Sequence, residues 1–173
     1  MKSSEYWKAV LVDQDNFLDR VLGFLKDSGV RYCVIGGAGV NAYAYPVVTE
    51  DLDIVVAAEQ IEPLQSALAR DFKVRRFPHS INVSAPPSKL QVQIQTDPRY
   101  FEFVDGAEIR DVMDFQLPVA RIEDILQGKI WAAMDTARRK SKRQKDLADI
   151  ARIIEVSPNL RKRVPEELLS KLF

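Results

Sequence analysis

The chain has 173 residues, 46% hydrophobic and 29% charged, with 25 basic side chains against 25 acidic ones. That is enough apolar material for one domain with a real core. The zero net charge excludes a global pull toward nucleic acid or membrane and leaves any such affinity to a local patch. A single cysteine, Cys33, excludes an internal disulfide and, inside the apolar run YCVI, reads as a buried structural thiol. The opening residues MKSSEYWKAVLVDQD lack the apolar region of a signal peptide, and no apolar run approaches membrane-spanning length. The expectation is a cytoplasmic protein with no membrane partner.

In chain order, DNFLDRVLGFLKDSGV carries Phe17, Val21, Leu22, Phe24 and Leu25 at helical spacing, with Gly29 as a stop. RYCVI reads as a short buried strand running into Gly36-Gly37. Residues 38–45 read as a short helix ended by Pro46. DLDIVVAA is a second strand, and EQIEPLQSALARDF a helix with Pro63 in its first turn. KVRRF and HSINVSA are weaker strands. PPSK is a turn, LQVQIQT has the cleanest alternation in the chain, and LPVA is a brief extended segment.

From Arg121 the pattern is helical. Ile122, Ile125, Leu126, Ile130 and Ala133 form one stripe, KDLADIARIIE a second helix, and Ser157-Pro158 starts a polar tail with a last helix, PEELLSKLF. The organisation expected is an α/β (α+β) core over residues 1–118 and a C-terminal helical segment over 119–173, packed on the core as one compact unit.

The glycine turn supports two readings. Gly37, Gly39 and Ala42 fit the dinucleotide pattern G-x-G-x-x-A after a strand. A parallel crossover needs a dozen or more residues, though, and about six separate Gly39 from Pro46. The acids also open the second strand instead of following it. The other reading uses the strand period of two, which puts Thr49, Asp51 and Asp53 on one face. Neighbouring carboxylates repel unless a cation lies between them, and magnesium prefers a few carboxylates plus water and substrate phosphates. Gly36 and Gly37, without Cβ atoms, let backbone N–H groups approach phosphate oxygens. Taken alone, the aspartates would read as a solvated strand start and the glycines as an ordinary turn. Joined at this spacing, they read as a seat for a metal-borne nucleotide.

Gly36-Gly37 followed by Thr49-x-Asp51-x-Asp53 resembles the signature of the polymerase-β-like nucleotidyltransferase superfamily, and in particular its small bacterial branch related to abortive-infection (toxin–antitoxin) nucleotidyltransferases. The segment EDILQGKIWAAMDTARRKSKRQKDLADIARIIE resembles that branch's lysine-bearing helix and the Lys-Asp-x-x-Asp of the next; the likeness spans about residues 30–155. The resemblance implies a nucleotidyltransferase-like mixed sheet with flanking helices. It implies Mg²⁺ (or Mn²⁺) held by Asp51 and Asp53, an NTP as substrate, and Gly36, Gly37, Thr49, Lys129 and Lys145 on the nucleotide. The partners it implies are an RNA (tRNA) or protein acceptor and a cognate antitoxin.

The pattern breaks at two places. The superfamily's third carboxylate, metal ligand and base for the attacking hydroxyl, should lie on LQVQIQTD. By parity Leu90, Val92, Ile94 and Thr96 face the core and Gln91, Gln93, Gln95 and Asp97 share the other face. Gln93 or Gln95 therefore stands at the third-ligand position. An amide oxygen can face a metal but takes no proton at neutral pH. Asp97 has the right parity at the strand end and substitutes only if the register shifts. Val47 replaces the arginine that related proteins carry ahead of the acid motif.

RRKSKRQK, Arg138–Lys145, has six basic residues in eight. It reads as a solvated interhelical turn when taken alone, and as a cationic rim for phosphates or an RNA backbone beside a magnesium site. Asp146 and Asp149 share one helix face and are expected to pin neighbouring cations. His79, the only histidine, has no Cys or His partner at ligand spacing and reads as a turn residue. Trp131, Tyr43, Tyr100, Phe101 and Phe103 read as packing. The functional expectation is transfer of a nucleoside monophosphate from an NTP to an acceptor hydroxyl. The alternative is a catalytically impaired nucleotide- or RNA-binding module of a toxin–antitoxin pair; a glycosyltransferase reading of DLD is weaker.

Overall fold

A computed structural model describes residues 16–172. Residues 1–15, on which the reading of the N-terminus rests, and Phe173 lie outside the described residues. In chain order the elements are α1 (Phe17–Asp27), β1 (Tyr32–Ile35), α2 (Gly36–Asn41), β2 (Asp51–Val56), a short 3-10 turn (Ala58–Gln60), α3 (Ile61–Leu68), β3 (Lys73–Phe77), β4 (Ser80–Ser84), β5 (Gln91–Gln95), a 3-10 segment (Pro98–Gly106), β6 (Glu108–Val112), β7 (Phe115–Val119), α4 (Ile122–Met134), α5 (Lys140–Val156), a further 3-10 segment (Pro158–Arg163) and α6 (Glu166–Leu172).

The strands form one mixed sheet in the order β3-β4-β5-β2-β1-β7-β6. β1 pairs antiparallel with β2, so the glycine turn opens no parallel crossover and the dinucleotide reading falls. β2 and β5 are parallel, with Asp51 opposite Gln91, Asp53 opposite Gln93 and Val55 opposite Gln95. Each central strand contributes a fully apolar face: Leu52 and Ile54 from β2, Val92 and Ile94 from β5, Ile81 and Val83 from β4 are all buried. Burying such alternate residues fixes register, because a one-residue slip would turn the apolar set to solvent.

α1 buries Phe17, Val21, Leu22 and Leu25 as its periodicity requires, with Phe24 half-buried, and Gly29 at φ 64° leaves the helix in the left-handed region. α2 begins at Gly36, earlier than its apolar residues indicate, and ends at Asn41, five residues ahead of Pro46. β6 is a strand that the sequence reading leaves out: it lies at the sheet edge and Ile109 is 64% exposed, so it has no apolar face to betray it. α4 buries Ile125, Leu126, Ile130 and Ala133. The polar tail after Ser157 is better anchored than its composition indicates, with Leu160, Val164 and Leu168 buried. Cys33 is buried, and burial pushes its thiol up to about 12.

Candidate active site

β1 ends opposite Asp53 of β2, and the chain turns there into α2. Gly36 takes φ 65°, and a Cβ on it would overlap Oδ2 of Asp53 and lie 3.0 Å from that residue's Cβ and Cγ. Gly37 is looser: its Cβ would meet Thr49 Oγ1 at 3.6 Å, ordinary contact. Thr49 Oγ1 in turn donates to the carbonyl of Asp51 at 3.1 Å and holds the loop against the start of β2. The turn, Thr49 and both aspartates thus converge at one end of the interior strands β1 and β2, as the alternation of residues 49–53 predicts.

Asp53 Oδ1 is buried and has no hydrogen-bond partner. Burial and the neighbouring Asp51 raise the Asp53 carboxyl to about 6, against the opposing pull of Lys129, Arg138 and Lys142. Asp51 is raised as well, by burial first, while Lys142 and Lys145 pull it down. A buried carboxylate oxygen with no donor, next to a second carboxylate, is a donor set that fits a hard divalent cation with oxygen ligands. Among the described residues no group of three or more His, Cys, Asp and Glu stands at ligating distance, so protein carboxylates supply only this pair.

The register separates the candidates for the third position by their distance from the acids. Gln93 lies directly beside Asp53 on β5, and Asn82 of β4 directly beside Gln93. Gln95 is opposite Val55 and one pleat further from the acids. Asp97 is already engaged: its carboxylate accepts from Arg99 Nη2 at 2.8 Å and Nε at 3.0 Å, and from the Arg99 amide at 3.0 Å. The Arg99 guanidinium holds the Asp97 carboxyl below its ordinary range.

Lys129 does not project freely toward a nucleotide. It is nearly buried and sits between Asp146, at 3.2 Å, and Asp149, at 2.8 Å. Burial pulls its ammonium down, but Asp149 and Asp146 more than offset that, and the net shift is upward. Asp146, 1% exposed, also receives Arg138 at 2.7 Å, and Asp149 receives Arg152 at 2.8 Å. These acids pin cations, as their spacing predicts. Lys145 is exposed on α5, and it and Lys142 act electrostatically on Asp51. The basic run is therefore mostly the first turns of α5, not a free interhelical turn. Arg152 extends the network by donating to Asn41 Oδ1 at 2.7 Å and to the carbonyl of Tyr45, while Asn41 closes on both the amide and the carbonyl of Val47.

On the β5 side of Asp53 lies a cavity of about 760 Å³. Gly36, Asp53, Gln93, Gln95, Lys129 and Arg138 line it together with His79, Asp97, Arg99, Trp131 and Asp135. The volume is that of a small-molecule site. Trp131 stacks on Phe103 with ring centroids 5.9 Å apart and carries Arg99 at 4.6 Å, so these aromatic rings are wall and packing together. Lys142, Arg138 and His79 are placed at the site by the structure; the sequence marks the first two only as part of a basic run and reads the third as a turn residue.

Residues 43–173 match the family described as nucleotidyl transferase AbiEii toxin, Type IV TA system. No curated protein matches the chain. Among solved structures, the antibiotic-resistance factor ANT(2'')-Ia superposes with a TM-score of 0.58 at 10% identity, over 88% of this chain and 94% of that one. The lincosamide antibiotic adenylyltransferase LnuA gives 0.56 at 15% identity, over 81% and 98%. An antigenic nucleotidyltransferase-like protein from Paracoccidioides brasiliensis gives 0.54 at 18%, over 88% and 77%. At such identities the likeness is one of fold.

Proposed function

Because the chain belongs to the AbiEii nucleotidyl transferase toxin family, for which nucleotidyl transfer is the general reaction, we propose that it moves a nucleoside monophosphate from an NTP to a hydroxyl of an RNA or protein acceptor. The observation that carries the reading is Asp53: its Oδ1 is buried without a partner, beside Asp51 and under a turn with no Cβ at Gly36. In this reading Asp51 and Asp53 hold Mg²⁺, or Mn²⁺ in its place. The cation, when bound, offsets negative charge on the phosphates and the departing pyrophosphate. Gly36 and Gly37 bring backbone close to phosphate, with Thr49 fixing the loop behind them. Lys142 and Lys145 serve the outer phosphates; Lys129, clasped by two acids, sets the field at Asp53 more than it contacts the nucleotide. A cognate antitoxin is the partner the family implies.

The test is labelling of a cellular RNA and protein pool by each of the four α-labelled NTPs with Mg²⁺. Label transfer by the wild type and none by Asp53→Asn supports the reading. Asp53→Asn transferring like the wild type contradicts it. A second reading, a nucleotide-binding module without turnover, is favoured by Gln93 standing beside Asp53 in place of an acid. It predicts Mg²⁺-dependent NTP binding with no label transferred to either pool.

A further inference from the structure

We propose that His79 is the proton acceptor of this transfer reaction, in place of the carboxylate that β5 lacks; the inference rests on the functional reading above. An acceptor hydroxyl must give up its proton as its oxygen bonds to phosphorus, and neither Gln93 nor Gln95 holds a proton at neutral pH. The carboxylates that line the cavity are already committed. Asp97 is held by Arg99, Asp124 by Arg121 at 3.3 Å, and Asp146 by Lys129 and Arg138. Asp135 accepts from the Ala137 amide at the outer end of α4. Asp53 belongs to the cation. His79 is the other base lining that cavity.

Its position is set by backbone. His79 lies in the β3–β4 turn, and its carbonyl accepts from the Thr96 amide at 2.9 Å, which closes the hairpin tip over the end of β5. Ser80 is paired with Gln95, and Gln93 with Asp53. His79 is thus two strand spacings across and three residues along from Asp53, about 14 Å between Cα atoms. Both residues line the same cavity, whose volume of about 760 Å³ has room for a hydroxyl and the phosphoryl group it attacks. The charged residues that line the same cavity are Asp97 and Arg99 just past β5, Asp135 and Arg138 between α4 and α5, and Asp124, Lys129 and Asp146 on those helices. Asp97 lies within electrostatic range of His79 and is itself paired with Arg99.

In the step, the unprotonated ring nitrogen takes the proton of the acceptor O–H. The oxygen bonds to the α-phosphorus, the α–β bridging P–O bond breaks, and pyrophosphate leaves with that electron pair. The imidazolium then releases its proton to the solvent to which His79 is exposed.

The experiment uses the full chain with α-labelled NTPs, Mg²⁺ and the same RNA and protein pool, over a pH series. His79→Gln is expected to lower transfer about 10²–10⁴-fold near neutrality, with unchanged binding of a non-hydrolysable NTP. The deficit should narrow as pH rises, and added imidazole should restore part of the activity of His79→Gly. Wild-type transfer by His79→Gln across the series overturns the proposal, as does a loss that neither pH nor imidazole alters. Either result leaves the transferase reading standing. Failure of the wild type to transfer label overturns both.

Discussion

Gly36 and Asp53 approach so closely that no side chain fits between them: a Cβ at position 36 would overlap Oδ2 of the aspartate, and the backbone at Gly36 stands at φ 65°. Gly36→Ala is therefore expected to cost stability twice, through the left-handed backbone and through displacement of Asp53, about 1–3 kcal/mol in all. Gly37→Ala, whose Cβ would meet Thr49 at 3.6 Å, should cost under about 1 kcal/mol. Urea unfolding of the two variants separates them. Mg²⁺-dependent NTP binding should be lost in Gly36→Ala, because the displaced residue is Asp53.

Asp53 without a cation is a source of instability. Its folded value of about 6 lies above the ordinary 3.8, so the folded state binds more protons than the unfolded state between those values. Stability without cation accordingly falls as pH rises from about 4 to about 6, by roughly 2–3 kcal/mol. Asp53→Asn should remove that dependence and raise the Tm at pH 7 while abolishing transfer. Mg²⁺ should raise the Tm of the wild type at pH 7 and not that of the variant. Thermal unfolding across pH, with and without Mg²⁺, checks all three.

Lys129→Met is expected to behave first as a stability mutation. It removes a shared cation from Asp146 and Asp149, both buried, although Arg138 and Arg152 remain on them. Breaking such a network by removing one partner costs about 3–5 kcal/mol, here at the lower end because of the remaining arginines. Lys145→Ala, on an exposed side chain, should leave urea stability within about 0.5 kcal/mol and weaken NTP binding.

Arg152 and Asn41 hold the loop that leads to Thr49. Asn41→Ala removes acceptors and donors for both Val47 backbone groups and for Arg152. Hydrogen exchange at the Val47 amide should speed up by at least tenfold, with the β2 amides unaffected. Equal exchange at Val47 in both proteins would mean that the loop is held by other contacts.

How much of this the sequence displays depends on which physical signal each feature leaves. The shared face of Asp51 and Asp53 is legible because a strand's period is two, and the buried partners Leu52 and Ile54 confirm the phase. The family is legible for the same reason: the glycine pair, the acids and the lysine-aspartate helix are local patterns. The start of α2 is not, since glycines carry no periodic signal. β6 escapes because an edge strand needs no apolar face. The choice between Gln93 and Gln95 is a matter of register between strands nearly forty residues apart, which no local pattern fixes. His79 reaches the cavity only through the pairing of β4 with β5, and Lys129 meets its two acids only once α4 and α5 pack.

The account stands most directly on where a cation binds. Crystals grown with Mn²⁺ and a non-hydrolysable NTP should show an anomalous peak within about 2.3 Å of Asp53 Oδ1 and of an Asp51 oxygen, with the phosphates over Gly36 and Gly37. Nucleotide density elsewhere, or metal density absent from those two carboxylates at saturating Mn²⁺, would contradict it.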